Sequence, residues 1–162
     1  MLIREATPRG LARHLAFLSR NRRRRRDLHL PARPPEGRRR RLVAPEAAEP
    51  DRGRGRRRGT VLGTAKMNKN HMGNGSHIAS ASYMVAPRHS GQGVGRALCE
   101  YTIDWARTAG YRAMQFNAVV ETNTAAVRLY ESLGFEILGT LPEGFDHPAK
   151  GYVGIHIMHR KL

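Results

Sequence analysis

Three glycines spaced two apart, Gly91, Gly93 and Gly95 in "SGQGVG", lie between an apolar run that Pro87 ends and an apolar-periodic segment that starts at Val94. Amides at the start of a helix have no intrahelical partner, and the helix dipole adds partial positive charge there. A phosphate group is the natural guest. The same spacing also suits a tight turn at positive φ, and it recurs in dinucleotide-binding folds, so by itself the loop admits all three readings. A dinucleotide fold would want an acidic residue roughly 20 positions on, at a strand end; Tyr111 and Arg112 stand there instead.

The loop needs a strand before it and a helix after it, and the pattern supplies both. "TVLGTAKMN" reads as a strand, and so does "SHIASASYMVAP", with Ala79, Ala81, Tyr83 and Val85 on its more apolar face. In "VGRALCEYTIDWARTAG", Val94, Ala97, Leu98, Tyr101 and Trp105 recur at helical spacing, and Gly110 supplies the stop. "YRAMQFNAVV" predicts a strand, and "NTAAVRLYESLG" a helix carrying Ala126, Leu129, Tyr130 and Leu133 on one face. "FEILGTL" and "YVGIHIMHRKL" close as strands. This order implies the α/β class, a mixed sheet flanked by helices.

The 162 residues suffice for one ordinary domain. The formal charge of +16 is unevenly spread: residues 1–60 hold 19 of the 29 basic residues against 6 acidic ones. The remaining two-thirds is nearly balanced. No apolar run is long enough for a signal peptide or a membrane span, and the single cysteine, Cys99, cannot form an internal bridge. A cytoplasmic protein without membrane contact is expected. No metal site is expected either, because His156 and His159, three apart on a strand, point to opposite faces.

Two segments together carry a resemblance. Val85, Pro87, Gly91, Gly93 and Gly95 fit V-x-P-x-x-R-G-x-G-x-G, and Asn123, Ala126, Leu129, Tyr130, Gly134 and Phe135 fit N-x-x-A-x-x-L-Y-x-x-x-G-F. In this order and spacing the chain resembles the GCN5-related N-acetyltransferase (GNAT) superfamily. It looks most like bacterial members related to azetidine-2-carboxylate acetyltransferases. Residues 59–162 match well, as an acetyl-CoA-binding core within a single domain spanning 1–162. The loop departs once, with Ser90 at the usual basic or glutamine position; main-chain amides carry most phosphate contacts, so a cradle survives.

The resemblance implies acetyl-CoA as cosubstrate and direct acetyl transfer to the amine of a small molecule or amino acid. Such transfer needs a neutral nucleophile, stabilisation of an oxyanion and a proton for the departing thiolate. By resemblance, the backbone of Met84 and Val85 would pair with the pantetheine arm. The amides of Ser90, Gly91, Gln92, Gly93, Val94, Gly95 and Arg96 would hold the pyrophosphate. Tyr130 would be the acid, since a phenol of pKa about 10 keeps its proton at neutral pH; on periodicity alone it would be a core residue. Asn123 is a good helix N-cap and by resemblance also a coenzyme contact. Asn117, polar within an apolar strand, must find partners if buried and is the candidate for positioning the acceptor. Glu121, at a strand end, could act as base through water or could be a solvated charge, with His77 a second choice.

Residues 21–58 break the pattern. Arginine runs alternate with Pro, Ala and Gly, and few apolar residues are available to offset ordering entropy. The expectation is an Arg/Pro-rich segment, disordered or translated from a shifted reading frame, that replaces the usual second helix and strand of a GNAT-like sheet. A noncatalytic, Arg-rich, nucleic-acid-associating protein is the alternative function, and a CoA-binding remnant without turnover is a third. No specific nucleic acid is expected as partner, and a homodimer is compatible with the pattern.

Overall fold

The computed structural model describes residues 3–5, 40–44 and 61–162. Among these residues a seven-stranded sheet has the order β1-β2-β3-β4-β5-β7-β6. Its strands are β1 (Arg4–Glu5), β2 (Arg40–Ala44), β3 (Gly63–Lys69), β4 (Ile78–Val85), β5 (Ala113–Val120), β6 (Glu136–His147) and β7 (Gly151–Lys161). Helix α1 (Val94–Thr108) links β4 to β5, and α2 (Thr124–Ser132) links β5 to β6. Only β4 and β5 run parallel, as a helical crossover requires; all other neighbours are antiparallel. The mixed sheet with helices is the α/β architecture expected from the pattern.

One expectation needs correction. Within the Arg-rich stretch, Arg40–Ala44 form a strand in register with β3 (Leu42↔Ala65, Val43↔Thr64) and with β1 (Arg4↔Val43). The stretch therefore contains a second strand and does not replace it. "RRLVA" has apolar Leu42 and Val43, and pairing on both edges satisfies a backbone that composition alone left without partners. The rest of 21–58 lies outside the described residues.

On β4, Ala79, Ala81, Tyr83 and Val85 do share the face toward the core; Ala79 is fully buried. The stripe of α1 is rotated from expectation. Leu98, Cys99, Thr102, Ile103 and Ala106 are buried, whereas Tyr101 is exposed. Thr102 fits inside because its hydroxyl has partners, which a hydrophobicity count cannot foresee. Helix α2 buries no residue completely. Its inner face packs Val127, Tyr130 and Leu133 against the core while bordering a groove.

Strands β4 and β5 pair only at Ile78↔Ala113 and Ala79↔Met114. Beyond that point they part, and a bulge between Phe116 and Val119 carries β5 along β7 instead. The free edge of β4 from Ser80 to Val85 therefore keeps main-chain groups without a strand partner. It lies beside the glycine loop.

Candidate active site

A groove of about 540 Å³ opens between the end of β4, the glycine loop, the first turns of α1 and the inner face of α2. Gly91 and Gly93 both have φ +76°, in the left-handed region that favours glycine. Gly93 is the N-cap of α1, and no side chain caps that end or places an acid in its first turn. Its outward N–H groups consequently meet the groove unopposed. A Cβ on Gly95 would sit 3.4 Å from Leu129 Cδ2 and narrow the groove where the two helices approach.

Of the residues the sequence singled out, Met84, Val85, Ser90, Gly91, Gly93, Gly95, Arg96, Asn123 and Tyr130 line this groove. Gln92 and Val94 do not. The Gln92 carboxamide turns back to donate to the Arg88 carbonyl at 3.3 Å, and the Val94 side chain is core, so neither side chain lines the groove. Arg96 crosses from α1 to α2, donating to Ser132 Oγ at 2.7 Å while facing Glu100 at 3.5 Å. Asn123 caps α2, accepting from the Ala126 N–H at 3.3 Å. A single carboxamide thus both starts the helix and borders the groove.

Tyr130 reaches the groove from α2. Its ring packs on Phe116 with centroids 4.7 Å apart and lies 6.1 Å from both Tyr83 and Phe135. No hydrogen bond is made by its hydroxyl among the described residues, and burial raises its pKa above that of an ordinary phenol. The C-terminus of α2 is fixed from β7, where the Arg160 guanidinium donates to the Leu133 carbonyl. Gly134 at φ +78° then lets Phe135 N–H return to the Tyr130 carbonyl at 3.0 Å.

Tyr83 and Cys99 also line the groove, although the sequence pattern does not point to them as site residues. Thr102 Oγ1 donates to the Cys99 carbonyl at 2.9 Å, so the Tyr83 hydroxyl, 2.5 Å away, donates its own proton to Thr102. Burial pushes the Tyr83 phenol well up, and it pushes the Cys99 thiol up to about 12. The available signal was the alternation that put Tyr83 on the β4 face beneath both helices.

Glu121 and Asn117 lie outside the groove lining. Glu121 sits at the end of β5, where its Oε1 accepts from the Gly154 N–H at 2.7 Å. Asn117 is exposed, contrary to the buried setting considered for it. Its partners are other amides: Asn117 Nδ2 donates to Asn70 Oδ1 at 2.6 Å and Gln115 Nε2 donates to Asn117 Oδ1 at 2.8 Å. His77 is exposed at the end of the β3–β4 connection, with Nδ1 3.0 Å from the Asn74 carbonyl. Among the described residues no cluster of His, Cys, Asp and Glu could hold a metal, and no helix is long and apolar enough to cross a membrane.

Residues 21–135 match the family model described as Acetyltransferase (GNAT) family. The chain belongs to the GNAT acetyltransferases. A GCN5-related N-acetyltransferase from Kribbella flavida is 44% identical, with a TM-score of 0.83 over 99% of this chain and 97% of that one. The fold is shared with yncA from Salmonella typhimurium, solved with its cofactor acetyl-CoA, at 23% identity and a TM-score of 0.76, covering 100% of this chain and 94% of that one. Among curated relatives, N-acetyltransferase aca1 of Schizosaccharomyces pombe is 32% identical over 60% of this chain and 47% of its own length. The L-amino acid N-acyltransferase MnaT of Escherichia coli is 36% identical over 41% of this chain and 38% of its own. The matches thus span less than half of these curated relatives.

Proposed function

We propose that this GNAT protein moves the acetyl group of acetyl-CoA directly to the amine of an amino acid or another small amine. One observation carries the proposal. A single groove joins an uncapped helix N-terminus, entered through two left-handed glycines, to a Tyr130 hydroxyl that has no hydrogen bond among the described residues, beside the opening between β4 and β5. The donor's chemistry fits these residues: diphosphate oxygens suit the outward amides from Ser90 to Arg96. Relatives named for L-amino acid acylation and for acetylation of methionine sulfone and sulfoximine support the acceptor class.

When bound, acetyl-CoA supplies an activated thioester and a thiolate leaving group. The chain's residues do the remainder. The free main-chain edge at Met84 and Val85 aligns the pantetheine arm by strand-like pairing. Asn123 borders the same arm. Tyr130 keeps its proton across the neutral range, because burial raises its pKa, and donates it to the leaving sulfur. Asn117, on the sheet surface at the parting of β4 and β5, orients the acceptor. Glu121 takes the amine proton through water.

Calorimetric titration with acetyl-CoA, followed by turnover on a panel of amino acids and amines, tests this. Binding at micromolar or tighter affinity with turnover is expected. Binding without turnover on any amine would reduce the protein to a CoA-binding remnant, and no binding at all would end the proposal.

A further inference from the structure

On the sheet face opposite α1 and α2, four polar side chains form a chain of hydrogen bonds running in one direction. Gln115 Nε2 donates to Asn117 Oδ1 at 2.8 Å, Asn117 Nδ2 donates to Asn70 Oδ1 at 2.6 Å, and Asn70 Nδ2 stands 2.9 Å from His71 Nε2, which accepts in the Nδ1–H tautomer. Asn70 and Asn117 are 47 residues apart in sequence. Asn70 follows β3, and its main-chain N–H holds the Ile78 carbonyl at 2.8 Å, so this anchor is tied to the start of β4. Asn117 lies on β5 just past the last β4–β5 pair, Ala79↔Met114. The bond thus crosses the seam at the point where the two strands separate.

A carboxamide offers two N–H donors and two lone pairs. With one of each engaged by Asn70 and Gln115, Asn117 retains one donor and one acceptor. Their orientation is coupled to these neighbours: inverting Asn117 alone would place its NH2 against Gln115 Nε2 and its oxygen against Asn70 Oδ1, two like-polarity clashes. We infer that Asn70 is a positioning residue, which fixes the Asn117 carboxamide so that its free N–H and free lone pair face the acceptor at the mouth of the β4–β5 opening. The inference rests on the reading of Asn117 as acceptor-orienting, and goes beyond it by assigning the orientation to a residue in a different part of the chain. An acceptor with an anionic or carbonyl oxygen beside its amine, as an α-amino acid has, matches one donor and one acceptor on a single carboxamide.

The test compares Asn70→Ala, Asn70→Asp and Asn117→Ala, using L-methionine sulfone and azetidine-2-carboxylate as acceptors in full-length protein already shown to bind acetyl-CoA. Asn70→Ala is expected to raise acceptor KM about ten-fold, the order of one lost polar contact, with acetyl-CoA KM unchanged. Asn70→Asp keeps an oxygen facing Asn117 Nδ2 and is expected to restore most of that loss. A merely structural role would not divide KM in this way or be rescued by Asp. A second readout is the Asn117 side-chain ¹⁵N–¹H₂ signal, which should shift on acceptor addition in wild type and in Asn70→Asp but not in Asn70→Ala. If Asn117→Ala raises acceptor KM while Asn70→Ala does not, the positioning role is wrong and the reading of Asn117 stands. Should Asn117→Ala leave acceptor KM unchanged, or neither acceptor be turned over or move the Asn117 signal, the reading of Asn117 fails and this inference goes with it.

Discussion

Glu121 and Gly154 hold each other by both main chain and side chain: Glu121 N–H donates to the Gly154 carbonyl at 3.0 Å, and Gly154 N–H donates to Glu121 Oε1 at 2.7 Å. The contact needs a glycine, because a Cβ at 154 would lie 2.6 Å from Glu121 Oε2 and 2.8 Å from Thr140 Cγ2. The clasp fastens the end of β5, just ahead of the Asn123 cap of α2, to β7. A carboxylate held in this way can serve the fold, the chemistry or both, and the two roles separate experimentally.

Glu121→Gln keeps an oxygen for the Gly154 N–H and loses the charge. If Glu121 takes the amine proton, kcat should fall at least ten-fold with little change in Tm, since general-base contributions are typically about 10²–10⁴-fold. Retained kcat would leave Glu121 with the clasp alone. Gly154→Ala, by contrast, should lower Tm by several degrees, the scale of about 1–2 kcal/mol in a domain of this size. Thermal melts of both variants make the comparison.

Tyr130→Phe retains the packing on Phe116 and removes only the hydroxyl. With no hydrogen bond to that hydroxyl among the described residues, stability should hold, and kcat should drop by about 10²-fold while acetyl-CoA affinity stays within a few-fold. Unchanged turnover would take the acid role from Tyr130.

Three buried groups, Tyr83, Cys99 and Tyr130, have pKa values raised in the folded state. A raised folded value means the unfolded chain releases the proton first as pH increases. Their contribution is therefore complete below the unfolded pKa values and declines above them. Stability should fall with rising pH from about 9, where a free thiol begins to ionise, through about 10, where phenols follow. Melts between pH 7 and 11 would show it, and a flat profile would contradict these burial effects. The same shift implies that kcat has no descending limb from Tyr130 below about pH 10.

The Cys99 thiol, at about 12, is also protected from reagents. At pH 8 only ~10⁻⁴ of it is thiolate, so alkylation by iodoacetamide should be orders of magnitude slower than for a free thiol and should accelerate on unfolding. Mass-spectrometric labelling in the presence and absence of denaturant reads this directly. Fast labelling of native protein would place Cys99 in open solvent.

For the Arg-rich stretch, a shifted reading frame across residues 21–58 predicts that another frame of the coding DNA encodes an ordinary amphipathic helix followed by a strand. If neither alternative frame does, that explanation is removed for the residues on either side of β2, whose pairing with β1 and β3 stands in either case.

Much of this protein could be read from local pattern. Alternation placed β4, the left-handed glycines located the start of α1, and the Asn123-to-Phe135 spacing placed Tyr130 on the helix facing the loop. These signals are local because backbone conformation and helical periodicity are set by residues a few positions apart. What remained hidden depended on long-range contact. Composition argued against any strand in 21–58, yet Arg40–Ala44 pair with β1 and β3, since main-chain hydrogen bonds are indifferent to side-chain type. Only the packed structure brought Tyr83 and Cys99 to the groove, rotated the stripe of α1 to bury Thr102, joined Asn70 to Asn117 and turned Glu121 toward Gly154. Each is a meeting of side chains from different elements, and which partners meet is decided by how the strands part and the helices seat.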